Sequence, residues 1–90
     1  MANYYKSGFT IFKIDLEKNE IVNVTNHPEN KGIVYSFGTD GIAKSMDDSM
    51  KSQLGIVRPG GWVTVETDEN QFLEYKQQIR EYFTSGSIGF

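Results

Sequence analysis

The chain has 90 residues, of which 38% are hydrophobic and 23% are charged, and it contains no cysteine. The missing cysteines exclude disulfide scaffolds, zinc clusters built on thiolates, iron–sulfur clusters and thiol nucleophiles. A chain this short buries enough surface for only one core. We therefore expect a single small domain over residues 1–90, with flexible ends at 1–7 and 85–90.

The net charge is −3, and the acidic excess lies in the second half of the chain. Residues 1–45 carry five basic and five acidic groups, whereas residues 46–90 carry four and seven. This balance argues against binding to nucleic acid, because a phosphate backbone requires a basic face. No apolar run approaches the roughly 20 residues that cross a bilayer, and the first residues lack the layout of a signal peptide. We expect a cytoplasmic protein that contacts no membrane.

The predicted strands are recognised by alternation and by β-branched residues. In residues 9–16 the apolar Phe12, Ile14 and Leu16 alternate with Lys13 and Asp15, which is typical of a strand with one wet face, and Phe9 and Ile11 fall on the other face. A polar turn, with Asn19 suited to a left-handed backbone position, separates it from the β-branched run 21–24. This predicts a β-hairpin. Residues 33–37 predict a third strand, and residues 62–67 predict a fourth.

Two helices are predicted from apolar spacing. Residues 41–54 repeat apolar side chains at helical spacing after Asp40, a candidate N-cap, although their serines and glycine leave a partly ordered loop as the alternative. The second helix follows Asp68, which forms a capping-box pattern with Gln71, and is expected to run to Gly86. Its apolar stripe comprises Phe72, Tyr75, Ile79 and either Tyr82 or Phe83.

The predicted order is therefore β-β-β-α-β-α. It defines an α+β fold with a mainly antiparallel four-stranded sheet and one or two helices packed on one face. The aromatic residues of the strands are expected to pack in the core under the helices, although a stacking platform for single-stranded RNA is the alternative. These aromatic residues are Phe9, Phe12, Tyr35 and Phe37.

The loop from Gly38 to Ser45 is the first candidate site, because it follows a strand and opens a helix. It matches three of the four fixed positions of the Walker A pattern, with Ala43 where a glycine must precede the lysine. The predicted fold also lacks the parallel sheet of a P-loop domain, so a strand-to-helix connection capped by Asp40 is the favoured interpretation. Binding of an anion or nucleotide at the helix N-terminus stays as the alternative. Its ligand residues would be Gly38, Thr39, Gly41, Lys44 and Ser45.

No coherent set of catalytic or metal-binding side chains is visible. The only histidine, His27, lies in a polar loop without neighbouring ligands, and Asp47 and Asp48 point in different directions on a helix. We interpret the histidine as a solvated loop residue and the two aspartates as a solvated face. The sequence therefore predicts no enzyme, no metal site and no cofactor.

The favoured hypothesis is a non-catalytic protein-interaction module, such as a small inhibitor or accessory protein of the phage or mobile-element type. It would bind another protein, or a second copy of itself as a homodimer, through a sheet edge or through its aromatic ends. The loop from Arg58 to Trp62 is a further candidate, with a hairpin-like turn that places Trp62 in the core as the favoured alternative. The C-terminal tail is expected to fray, to fold back or to dock by strand addition. The candidate contact residues are Tyr4, Tyr5, Arg58, Trp62, Ile88 and Phe90.

Overall fold

The computed structural model describes residues 2–84, so the predictions for Gly86, Ile88, Phe90 and the tail 85–90 lie outside the described residues. Within this range the chain forms five strands and two helices in the order β-β-β-β-α-β-α. They are β1 (Ala2–Ser7), β2 (Thr10–Asp15), β3 (Glu20–His27), β4 (Asn30–Phe37), α1 (Ile42–Gln53), β5 (Thr64–Glu66) and α2 (Glu69–Thr84).

The strands form one sheet in the order β4-β3-β2-β1-β5, and every neighbouring pair is antiparallel. The predicted α+β class with a mainly antiparallel sheet is confirmed. The sheet has five strands rather than four, because residues 2–7 form β1 and pair with β2 on one side and β5 on the other. The expectation of a flexible end at 1–7 is therefore wrong for residues 2–7, whose Tyr5 side chain is buried in the core.

The two helices lie on opposite faces of the sheet, which corrects the expectation that they share one face. Ile14 packs under α1 and Ile11 packs under α2, and side chains an odd number of residues apart on a strand point to opposite faces. The physical reason is that β2 and β3 are apolar on both faces, so each face requires a cover. The α1 cluster comprises Tyr5, Ile14, Ile21, Ala43 and Met50, and the α2 cluster comprises Ile11, Val22, Val24, Phe72 and Ile79.

Residues 42–53 are helical, and the start of α1 is held by a residue of the β2–β3 turn. The N-cap is Gly41, with a left-handed φ of 72° and no side-chain cap, so the prediction that Asp40 caps the helix is wrong. Instead Asn19 Oδ1 accepts the Ala43 N–H at 3.0 Å, and Asn19 Nδ2 donates to the Thr39 carbonyl at 2.6 Å. Asn19 has a φ of 51°, the left-handed conformation predicted for it.

The start of α2 has the predicted N-cap at Asp68 but not the full capping box, because Gln71 Oε1 accepts the Thr67 hydroxyl at 2.7 Å rather than the Asp68 N–H. Asp68 Oδ1 accepts the Gln71 N–H at 2.9 Å, as an N-cap does for the third residue of a helix. Within residues 2–84 neither helix combines the length and the apolar character needed to span a bilayer.

Candidate functional site

The edge strand β4 is the first candidate surface. It has eight residues and pairs only with β3, and no strand of residues 2–84 covers its other edge. Val34 and Tyr35 are exposed, and Phe37 is 69% exposed. Residues 32–37 carry no charge, although edge strands are commonly protected by charged side chains, proline or short length.

The exposed aromatic residues correct one expectation of the sequence. Phe9, Tyr35 and Phe37 are exposed rather than packed in the core, whereas Phe12 does pack against the α1 cluster. Tyr35 and Phe37 lie at the edge of the sheet, and Phe9 lies in the turn between β1 and β2, where neither helix covers them.

Three backbone N–H groups in the Gly38 to Ser45 loop have acceptors within the protein. Asn19 accepts the Ala43 N–H, and the Ile42 and Ser45 N–H groups donate to backbone carbonyls of the same loop. Lys44 Nζ lies 3.1 Å from Asp48 Oδ2 on the exposed side of α1. The proposed ligand residues Gly38, Thr39, Gly41, Lys44 and Ser45 are all exposed. The arrangement stabilises the start of a helix, and no contact in it favours a bound anion.

Asp47 is not the solvated carboxylate that the sequence predicts. It is 2% exposed, and its carboxylate accepts hydrogen bonds from Tyr5 Oη at 2.7 Å and Asn3 Nδ2 at 2.9 Å. Lys51 Nζ lies 2.9 Å from its second oxygen. Burial by itself raises the pKa of this carboxyl, but the three donors outweigh burial and lower the pKa below its ordinary value. The carboxylate therefore ties α1 to β1.

Tyr5 and Tyr4, two of the candidate contact residues, differ in how accessible they are to a partner. Tyr5 is 2% exposed, so its side chain belongs to the core and is not available to a partner. Burial and the hydrogen bond to Asp47 raise its pKa above the ordinary tyrosine value. Tyr4, on the opposite face, is half-buried, with its ring centroid 5.6 Å from that of Phe72 and its hydroxyl 3.2 Å from Glu69 Oε2.

The turn between α1 and β5 has the predicted geometry. Gly61 N–H donates to the Arg58 carbonyl at 2.9 Å, and Gly60 takes a φ of 95°, as the third position of a type II turn requires. Trp62 is 54% exposed, so the alternative that placed it in the core is wrong. Arg58 Nη1 donates to Gln53 Oε1 at 3.1 Å and is thereby held beside the C-terminal end of α1.

Trp62 forms one wall of a cleft of about 650 Å³, which we call the aromatic cleft. Phe9 and His27 also line this cleft, and their rings meet edge to face with centroids 4.9 Å apart. Thr10 and Thr25 face each other across β2 and β3, with their hydroxyl oxygens 3.0 Å apart. The remaining lining residues are Gly8, Asn30, Gly60 and Gly61.

The sequence indicated Trp62 but missed the rest of the aromatic cleft. Phe9, Thr10, Thr25 and Asn30 come from two separate turns and the strand ends beside them. No local pattern links these positions, because only the pairing of β2 with β3, and of β3 with β4, brings them together. The histidine was identified, but as an isolated residue.

Residues 2–84 thus form a small α+β domain, a five-stranded antiparallel sheet between two helices, in which β4 is the longer of the two edge strands and Trp62 lines an aromatic cleft. Comparisons with protein-family descriptions, with curated protein sequences and with solved structures find no match to this chain.

Proposed function

We propose that the protein is a non-catalytic interaction module that forms a homodimer by antiparallel pairing of β4 with β4 of a second copy. The observation that supports this proposal is an eight-residue edge strand with exposed apolar side chains and no charge over residues 32–37. Unpaired backbone groups on such an edge are a template for another strand. A role as inhibitor or accessory protein stays a prediction from size and composition.

The charges beside β4 favour a second copy in antiparallel orientation. If Val34 lies opposite the second copy's Val34, then Lys31 of each copy lies opposite Phe37 of the other. The two lysines are then about 20 Å apart, given about 3.4 Å per residue, whereas a parallel arrangement would place them side by side. Phe37 is paired with Glu20 of β3, which lies on the same face of the sheet as Lys31, whereas each Lys31 Nζ is held by Asn26 Oδ1 and the His27 carbonyl of its own copy.

The opposite edge of the sheet is a poorer template. β5 has only three residues, Thr64–Glu66, and ends on a glutamate. Because short and charged edges resist pairing, we assign the contact to β4.

The test is the oligomeric state of the full chain as a function of concentration, measured by sedimentation equilibrium. Val34→Lys places two like charges opposite each other at the centre of the proposed pairing and should weaken dimerisation by about tenfold or more. Val34 is exposed, so circular dichroism should show an unchanged fold. The matched control is Val65→Lys, an exposed valine on β5, which should leave the dimer intact.

Two outcomes would contradict the proposal. A wild-type chain that stays monomeric at millimolar concentration would exclude self-association through any edge. A dimer weakened equally by Val34→Lys and Val65→Lys would show that the contact is not specific to β4.

A further inference from the structure

We infer that the aromatic cleft is a binding site for a neutral ligand that carries a planar aromatic ring. This inference is independent of the proposed dimer, because neither Val34 nor Phe37 lines the cleft. The cleft volume of about 650 Å³ lies within the range of about 300–1,000 Å³ that is usual for small-molecule sites.

The planar shape of the ligand follows from the three rings that line the cleft. They are the indole of Trp62 and the rings of Phe9 and His27, which meet edge to face. Trp62 remains 54% exposed and Phe9 is also exposed, so both rings keep apolar surface that a ligand can bury. Aromatic groups stack on such surfaces in offset or edge-to-face arrangements.

The neutral character of the ligand follows from the polar groups. None of the cleft residues within the described chain carries a full charge when His27 is neutral. His27 Nδ1 accepts the Glu29 N–H at 3.0 Å, which assigns the proton of the neutral ring to Nε2 and makes that atom a donor. The hydroxyls of Thr10 and Thr25 share one hydrogen bond, so one hydroxyl proton remains for a ligand.

The indole is positioned before any ligand arrives. Arg58 N–H donates to the Trp62 carbonyl at 2.7 Å, which closes the turn on which the indole stands. A Cβ at Gly8 would lie 3.0 Å from Trp62 Cε3, and one at Gly60 would lie 2.8 Å from Trp62 Nε1. Because Gly8 and Gly60 have no side chains, the indole can occupy this position, from which larger residues would displace it. A preorganised wall of this kind lowers the entropic cost of binding.

The test uses the fact that Trp62 is the only tryptophan of the chain, so the ¹H–¹⁵N spectrum contains a single indole N–H resonance. Two neutral probes distinguish the source of the ring: adenosine represents a heterocycle, and N-acetylphenylalanine amide represents a protein side chain. We expect at least one probe to shift the indole resonance in a saturable manner. Glucose, which is neutral but not aromatic, should cause no saturable shift.

Two variants distinguish binding in the cleft from nonspecific binding to exposed aromatic side chains. Phe9→Ala should weaken binding of the active probe by about fivefold or more, because one stacking partner is lost. Phe37→Ala removes an exposed aromatic side chain outside the cleft and should leave binding unchanged. If Phe9→Ala proves unfolded by circular dichroism, Thr25→Val tests the floor of the cleft without removing a ring.

The inference is overturned if neither aromatic probe shifts the resonance at millimolar concentration. It is also overturned if Phe37→Ala weakens binding as much as Phe9→Ala. The Val34→Lys variant should bind the probe like the wild type, so failure of the dimer proposal and failure of this inference are distinguishable.

Discussion

We expect the hydroxyl of Tyr5 to stabilise the fold more than a hydroxyl bonded to a neutral group would, because it donates to the buried carboxylate of Asp47. Tyr5→Phe keeps the ring in the α1 cluster and removes only the hydroxyl, which lies 2.7 Å from Asp47 Oδ1. A hydrogen bond to a charged group contributes about 1.5–3 kcal/mol, against about 0.5–1.5 kcal/mol for a neutral pair. We therefore expect the free energy of unfolding at pH 7 to fall by about 2 kcal/mol.

The pH dependence of this loss distinguishes a charged acceptor from a neutral one. The pKa of Asp47 in the folded protein lies below its ordinary value, so its carboxylate stabilises the fold above about pH 4. That contribution is lost as the pH falls through the folded-state pKa. Once the carboxyl is protonated, Tyr5→Phe removes a bond between neutral groups, and the difference from wild type should shrink to about 1 kcal/mol.

The assay is urea unfolding followed by far-ultraviolet circular dichroism at pH 7 and again at the lowest pH at which the wild type remains folded. Tyr35→Phe is the matched control, because it removes the hydroxyl of an exposed tyrosine on β4 and should change stability by less than about 0.5 kcal/mol. A Tyr5→Phe effect no larger than this control would refute the role of the hydroxyl. A Tyr5→Phe effect that stays the same at a pH where the Asp47 carboxyl is measured to be protonated would refute the role of its charge.

Two further predictions concern the ends of α1. Asn19→Gly keeps the left-handed backbone but removes both side-chain hydrogen bonds at the helix start. Urea unfolding should therefore show that the free energy of unfolding falls by about 1–2 kcal/mol. A variant as stable as wild type would show that Asn19 does not cap the helix. Lys51→Met removes a cation from Asp47, raises the pKa of that carboxyl and should move acid unfolding to higher pH. Lys44→Met, whose partner Asp48 is exposed, should not move the acid transition, and equal shifts for the two variants would contradict the assignment.

Local chemistry explains what the sequence predicts well. The cap of α2 at Asp68 and the turn at Gly60 each depend on a few consecutive residues, and both have the predicted geometry. The alternation in residues 9–16 likewise predicts β2, because period two is a property of the strand itself. The same residues place Ile11 and Ile14 on opposite faces of β2, and each face is covered by its own helix.

Contacts between distant residues explain what the sequence does not predict. Asp47 looks like a surface carboxylate on its helix, and its donors Tyr5 and Asn3 lie 42 and 44 residues away in the chain. β1 pairs with β2 over all six of its residues and with β5, which follows α1 in the chain, over Tyr5 to Ser7, although residues 2–7 show no alternation of apolar and polar side chains. The predicted N-cap is wrong for the same reason. Asp40 is of a residue type that commonly caps helices, but the side chain that bonds the start of α1 is Asn19, which lies in another turn.

The placement of the helices also explains why an edge and a cleft, rather than a face, are the surfaces left for partners. α1 packs on β2 and β3 from one side, and α2 packs on β2, β3 and β4 from the other, so both faces of the central strands are covered. Thr10 and Thr25 lie on the same face of the sheet as α1, and together with the Trp62 turn they line the aromatic cleft. At the margins β5 is too short to extend the sheet far, whereas β4 has full length. Both proposals therefore follow from one cause: two helices cover the middle of a five-stranded sheet but not its β4 edge or its turn-bearing end.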